Sequence, residues 1–187
     1  MLDLGSVAVL LPVKSFAEAK LRLAPALTPE ARRALARDMA THVLACAGRL
    51  PVAVVCDDVE VAAWAREHHA LVVWEPERGL NRAVQAGVAR LASEGVERVI
   101  VAHADLAFAA ELQWVADFAG VTLVPDRGGN GTNVVGLPSR SGFAFSYGPG
   151  SFARHQAEAR RLGLPLRVVH APDLARDVDL PSDLAHL

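Results

Sequence analysis

The sequence predicts an α/β fold, a mostly parallel β-sheet covered by helices on both faces and therefore three layers deep. Three observations lead there. Short runs rich in Val, Leu and Ala alternate along the chain with longer Ala/Arg/Glu-rich stretches, the rhythm of strand–helix–strand units. Those runs are continuously apolar rather than alternating, as strands buried on both faces are. The 187 residues, 52% hydrophobic, suffice for one well-filled core and are too few for two ordinary domains.

Taken in order, Val7 to Val13 reads as the first buried strand, bounded by Pro12. Thr28 and Pro29 suit an N-cap and a first helical residue, with Glu30 in the first turn, and an Ala/Leu/Arg-rich helix runs to about Gly48. Val52 to Cys56 is the second strand, ending in Asp57 and Asp58; Val59 to His68 is a helix and Leu71 to Trp74 the third strand. A helix over Leu80 to Ser93 precedes the fourth strand, Arg98 to Ala102. Beyond it the rhythm loosens: a strand at Val121 to Val124, the polar loop PDRGGNGT, a further strand at Asn133 to Leu137, a helix over Ser151 to Leu162 and a short strand at Leu166 to Val169. No internal repeat, low-complexity linker or boundary interrupts this order, so residues 1–187 read as one domain.

Composition narrows the function. A formal charge of −2 argues against a dedicated nucleic-acid binder. Cys46 and Cys56 have no CxxC spacing, which fits neither a disulfide framework nor a zinc site and suits a reducing compartment. No apolar run reaches the roughly 18 residues that span a bilayer, and MLDLGSVAVLLPVK lacks the features of a signal peptide. The expectation is a cytoplasmic chain with no membrane or nucleic-acid partner.

In a doubly wound sheet, ligands bind beyond the carboxyl ends of the strands, and several of the charged or flexible segments of this chain follow a strand directly. Lys14, Lys20 and Arg22 follow the first: Lys is a compact cation suited to phosphate oxygens and Arg can hold one bidentately. Charged loop residues are also commonly just solvated. Asp105 follows the fourth strand, where a carboxylate serves either as a magnesium ligand or as the N-cap of a helix over Leu106 to Phe118; the nearby His103 reads as a structural or rim residue. In PDRGGNGTNVV, Gly128, Gly129 and Gly131 permit close backbone approach, with Thr132 and Asn133 offering hydrogen bonds, or the stretch is a plain hairpin loop. It matches neither phosphate-loop nor dinucleotide fingerprint. In YGPGSFARH, Gly148, Pro149 and Gly150 form a turn and Ser151 suits an N-cap, whose free amides attract anions. In RDVDLPSDL, Asp177 and Asp179 point the same way on an extended chain, toward one cation or into solvent, with Pro181 starting a last helical turn.

The order of these motifs is more specific than any one of them. PVKSFAEAKLRLAPALTPEARRALARDM resembles the N-terminal signature of the 2-phospho-L-lactate and phosphoenolpyruvate guanylyltransferases of coenzyme F420 biosynthesis, relatives of the molybdenum-cofactor nucleotidyltransferases. The resemblance continues through RGLNRAV (Arg78 to Val84), the strand-end Asp105, PDRGGNGTN, YGPGSFARH and DVDLPSDL, nearly the whole chain.

The resemblance implies a three-layer, nucleotidyltransferase-type (Rossmann-like) sandwich with a mostly parallel mixed sheet, and transfer of GMP from GTP to the phosphate of a three-carbon phosphoacid. Phosphoenolpyruvate is favoured over 2-phospho-L-lactate on the bacterial look of the Ala/Arg/Val-rich composition. It further implies Lys14, Lys20 and Asp105 as catalytic residues, and Lys14, Lys20, Arg22 and Asn81 against the nucleotide. Thr132, Gly148 and Ser151 would lie against the acceptor, with Asp105 and Asp177 or Asp179 holding Mg²⁺. A homodimer is the base-rate expectation. Two departures stand out: Leu106-Ala107 where the family has Leu-Pro, implying a looser turn, and Asn130 where Thr is common. The rival readings are a molybdenum-cofactor-type nucleotidyltransferase, against which the missing glycine-rich loop after the first strand argues, and a non-catalytic nucleotide-binding protein, against which the retained lysines and carboxylates argue.

Overall fold

In the computed structural model, which describes residues 4–77 and 79–186, seven strands form one sheet in the order β3-β2-β1-β4-β6-β5-β7. β1 (Val7–Pro12), β2 (Val52–Cys56), β3 (Leu71–Trp74) and β4 (Arg98–Ala102) are mutually parallel. β5 (Val121–Pro125) pairs in parallel with β7 (Leu166–Val168). Only β6 (Thr132–Pro138) runs the other way, inserted between β4 and β5. Residues 126–131 are all that joins β5 to β6, and so short a link can turn the chain back but cannot carry it across to a parallel neighbour, which takes a dozen residues or more.

The layering follows from which side chains each face offers. On one face, α1 (Pro29–Ala45) and α2 (Val59–Glu67) cover Val9, Leu11, Val54 and Ile100, with Trp64 at the centre. On the other, α3 (Leu80–Ser93) and α4 (Ser151–Arg161) cover Leu10, Val55, Val99 and Leu123. Gly87 brings α3 close to the sheet, since a Cβ there would lie 2.6 Å from the Leu10 side chain. At the start of α1, the Thr28 hydroxyl accepts from Ala31 N–H at 3.2 Å and Pro29 occupies the first turn, as the sequence predicts.

Two local expectations fail. The stretch Leu106 to Phe118 is not an α-helix; it holds only a 3₁₀ turn at Gln113–Ala116, so Asp105 caps nothing. The buried residues Leu106, Ala109, Leu112 and Val115 recur every three positions, a spacing that turns and 3₁₀ geometry present to one side and an α-helix does not. The segment is tied to the end of α1 through Leu112 N–H to the Cys46 carbonyl, 3.2 Å, and the His42 ring to the Ala109 carbonyl, 2.8 Å. Nor is Ser151 the N-cap of α4. That place belongs to Gly150, at φ 75°, ψ 13°, where a side chain would be strained, and Ser151 is the first helical residue.

Candidate functional site

The lysine-bearing loop after β1 is held by two apolar anchors that its charges obscure. Phe16, in a 3₁₀ turn over Phe16–Glu18, is fully buried with its ring edge-on to Trp64, 5.5 Å between centroids. Leu23, in a second turn over Leu21–Leu23, packs with Met39 and Val178. Between the anchors, Lys20 sits in the left-handed region (φ 55°, ψ 36°), a conformation costing a residue with a Cβ about 1–2 kcal/mol. Its ammonium donates to Asp105 Oδ2 at 2.7 Å and to Asp179 Oδ1 at 2.9 Å, and its side chain is only 7% exposed. Non-Gly backbone strain held by surrounding structure is a mark of functional sites.

Sheet order brings Asp105 to this lysine. β4 neighbours β1, so the carboxyl ends of the two strands meet despite the 85 residues between their side chains. At Ala107, where the resemblance expects proline, the N–H closes onto the Asp105 carbonyl at 3.1 Å, a bond that a proline could not donate. The tail arrives from the other side. Asn133 Nδ2 donates to the Leu174 carbonyl at 2.9 Å and Arg127 N–H to the Ala175 carbonyl at 2.8 Å, after which Val178 is buried. With Val178 turned into the core, Asp177 and Asp179 on either side of it both line the cavity, as an extended chain requires.

The electrostatics of this cluster are those of surplus negative charge. Burial alone would lower the Lys20 pKa, but Asp105 and Asp179 hold the ammonium above its ordinary value. Burial likewise opposes ionisation of Asp105, and the Lys20 charge, aided by His103, overcomes it and keeps the carboxyl below the usual range. Asp177 is pushed up, first by burial and then by Asp105. Three carboxylates thus share one buried ammonium, and Asp105 Oδ1 is buried with no hydrogen-bond partner among the described residues. Among the described residues no three His, Cys, Asp or Glu converge into a ready-made metal cage. Mg²⁺ does not need one, since it takes one or two carboxylates with substrate phosphates and waters. The orphaned oxygen and the unbalanced charge fit such an ion.

These groups line a cavity of about 680 Å³ at the carboxyl edge of β1 to β4, within the roughly 300–1,000 Å³ of small-molecule sites. Lys14, Lys20, Asp105, Asp177 and Asp179 all line it, and Lys14 is exposed. Arg22 lies outside that lining, exposed and 3.5 Å from Asp179 Oδ2. Asn81 lies outside it too: its amide accepts from Tyr147 N–H and reaches the Tyr147 carbonyl at 3.5 Å, pinning that segment. Arg78, which opens the RGLNRAV motif, is outside the described residues.

The remaining expected residues form a second group. Thr132 and Ser151 are buried, their hydroxyls 3.5 Å apart, and Gly148 is exposed. At their centre is His155, a residue that the sequence reading gave no role. Ser146 N–H donates to its Nε2 at 3.0 Å, so its proton is on Nδ1, which faces the Thr132 hydroxyl at 3.0 Å. Burial, then Arg154, pushes its pKa down to about 4. The start of α4 has fewer free amides than its sequence suggests. Asn130 accepts from Gly150 N–H through its side chain, 3.1 Å, and from Phe152 N–H through its carbonyl, 3.2 Å. Asp126 in turn takes the N–H groups of Asn130 and Gly131 at 2.9 and 2.7 Å, so the glycine loop is a fastened hairpin. The signal for His155 was its place in GPGSxxxH, one helical turn beyond Ser151 on the same face.

Comparison with known proteins agrees with this geometry. Residues 7–187 match the family model described as guanylyl transferase CofC like. A phosphoenolpyruvate guanylyltransferase from Sphaerobacter thermophilus is 36% identical over 185 residues, covering 94% of this chain and 89% of that protein. A 2-phospho-L-lactate guanylyltransferase from Halorubrum lacusprofundi is 39% identical over 180 residues, covering 90% and 78%. Among solved structures, a nucleotidyl transferase from Methanothermobacter thermautotroptrophicus superposes with a TM-score of 0.64 at 15% identity, over 97% of this chain and 95% of that one. A 4-diphosphocytidyl-2C-methyl-D-erythritol synthase gives 0.64 at 13%, over 97% and 96%. No described helix is long and apolar enough to cross a membrane. With the fold and the order of its motifs in agreement, the chain belongs to the CofC-like guanylyl transferase family.

Proposed function

We propose that this enzyme transfers GMP from GTP to the phosphate of a three-carbon phosphoacid, phosphoenolpyruvate in preference to 2-phospho-L-lactate, in coenzyme F420 biosynthesis. The observation that carries the reading is the buried Lys20 ammonium held between Asp105 and Asp179, beside Lys14, in a cavity at the edge of parallel strands. The names of the relatives support it.

In the reaction, an oxygen of the acceptor phosphate attacks the α-phosphorus of GTP, the bond to the bridging oxygen breaks and pyrophosphate leaves. A phosphate monoester has its second pKa at about 6 and is already a nucleophile at neutral pH, so no general base is needed. What the protein must do is hold two polyanions in line. Lys14 and Lys20 contribute positive charge toward the triphosphate. Asp105, with Asp177 or Asp179, would hold Mg²⁺, which when bound neutralises phosphate charge. Lys20 then has two tasks: it balances the carboxylates before substrate arrives and faces phosphate oxygens afterwards. Thr132, Gly148 and Ser151 are assigned to the acceptor, and the neutral His155 keeps the Thr132 hydroxyl oriented.

The test is pyrophosphate release across GTP, CTP and ATP, each with phosphoenolpyruvate, 2-phospho-L-lactate and 3-phosphoglycerate. Release confined to GTP with a three-carbon phosphoacid is expected. CTP turnover would move the enzyme to a cytidylyl chemistry, and binding of GTP without release in any combination would remove the transferase reading.

A further inference from the structure

The cavity has a second end that the chemistry above does not use. Its phosphate end lies at β1 and β4; its other end lies at β2 and β3, where Glu75, Glu77, Leu80 and Ala83 join Val13 and Val55 in the lining. The strand order β3-β2-β1 sets Glu75, one residue past β3, two strand spacings from the loop after β1, about 10 Å. That span matches a nucleoside laid across the strand ends, with its α-phosphate at the lysines and its base at Glu75.

Glu75 is built for a fixed orientation. Its backbone N–H extends the β2–β3 pairing to the Cys56 carbonyl at 3.0 Å. Its Oε1 accepts from Glu77 N–H at 3.1 Å and lies 3.5 Å from Arg82 Nε, and its side chain is 15% exposed. Oε2 takes no hydrogen bond among the described residues, and Oε1 keeps a lone pair that the long Arg82 contact scarcely uses. Glu77, by contrast, is 63% exposed and paired with Arg82 at 2.7 Å.

Resting on the guanylyl-transfer reading, we infer that Glu75 is the residue that selects guanine, by accepting the N1–H and the exocyclic N2 amine of the base. A carboxylate offers two acceptors side by side. Only guanine among the common bases presents two adjacent donors on that edge; adenine and cytosine set an acceptor beside their amine and would face Glu75 with like charge. The apolar side chains of Leu80 and Ala83 complete a slot for the ring.

The experiment measures nucleotide binding by calorimetry, without acceptor, for wild type, Glu75→Gln and Glu77→Gln against GTP, ATP and xanthosine triphosphate. A glutamine offers one acceptor and one donor, which match the N1–H and 2-oxo groups of xanthine. Glu75→Gln should weaken GTP about 10- to 100-fold and strengthen xanthosine triphosphate, a gain that misfolding cannot produce. Glu77→Gln should leave the ratio of the two near that of wild type. A Glu75→Gln protein that melts normally and keeps the wild-type GTP-to-xanthosine-triphosphate ratio overturns the assignment, as does a switch caused by Glu77→Gln. Because binding is read without turnover, a wild type that binds GTP and transfers nothing sinks the transferase reading while the ratio still decides the role of Glu75.

Discussion

Acidification from pH 7 to 4.5 should destabilise this protein, and one share of the loss belongs to His155. Its Nε2 accepts Ser146 N–H at 3.0 Å and its Nδ1 faces Thr132 Oγ1 at 3.0 Å, among Phe143, Phe145 and Tyr147. A proton on Nε2 would set two donors against each other, and Arg154 opposes the charge further, with only Glu158 favouring it. The folded pKa is about 4 against about 6.5 in the unfolded chain. Between these values the unfolded state binds more protons, so stability is full above pH 6.5 and falls as pH drops toward 4. Two and a half units at about 1.4 kcal/mol each come to about 3.5 kcal/mol in full, of which about 2.5 kcal/mol is lost by pH 4.5, or about 5–10 °C in Tm for a chain of this size. The assay is urea denaturation at pH 7.5, 6, 5 and 4.5 for wild type and His155→Gln, whose amide oxygen can still accept from Ser146 without titrating. The two curves should converge on acidification, since depressed carboxylates such as Asp105 lose stability equally in both. Parallel curves would refute the assignment of the proton.

Other consequences follow from the same contacts. Lys20→Met removes the ammonium that balances Asp105 and Asp179; it should lower kcat at least 100-fold and let the Asp105 pKa rise, so that Tm falls less on acidification than in wild type. Gly136→Ala puts a Cβ 2.6 Å from the Val115 carbonyl in the middle of β6, so thermal denaturation should show a loss of about 1–3 kcal/mol with the nucleotide affinity of the folded protein unchanged. Asn130→Ala frees the Gly150 amide from its side-chain partner and leaves the Phe152 bond to the residue 130 carbonyl in place; steady-state kinetics should show a several-fold rise in KM for the acceptor and little change for GTP.

Much of the sheet was legible because its strands are local. Continuous apolar runs such as VAVLLP and RVIVA can only be buried on both faces, and Pro12 and the Thr28-Pro29 pair mark their own boundaries. The order of strands was not, since β6 inserts between β4 and β5 by pairing Ile100 with Gly136, a contact no local pattern announces. The stretch after Asp105 misled for a related reason: its apolar spacing of three serves docking on α1, and that partner is distant in sequence. At the site, Lys14, Lys20 and Asp105 were readable as charged residues following strands, and Asp177 and Asp179 as a carboxylate pair on an extended tail; the cavity lining gathers all five. Their anchors, Phe16, Leu23 and Val178, read as ordinary hydrophobics. His155 stood in a legible motif, but its role comes from Thr132 and Ser146, and that of Glu75 from its place beside Arg82 in the cavity lining, neighbours which the fold brings to them.

The most direct test of the account follows the phosphorus. GTP labelled at the α-phosphate, incubated with Mg²⁺ and phosphoenolpyruvate or 2-phospho-L-lactate, should pass its label into a new diphosphate that joins guanosine to the acceptor while γ-label leaves as pyrophosphate, and Asp105→Asn should stop the transfer in a protein that still melts cooperatively. Label that remains in GTP, or appears only as free GMP, would contradict guanylyl transfer; a wild-type rate in Asp105→Asn would contradict the site.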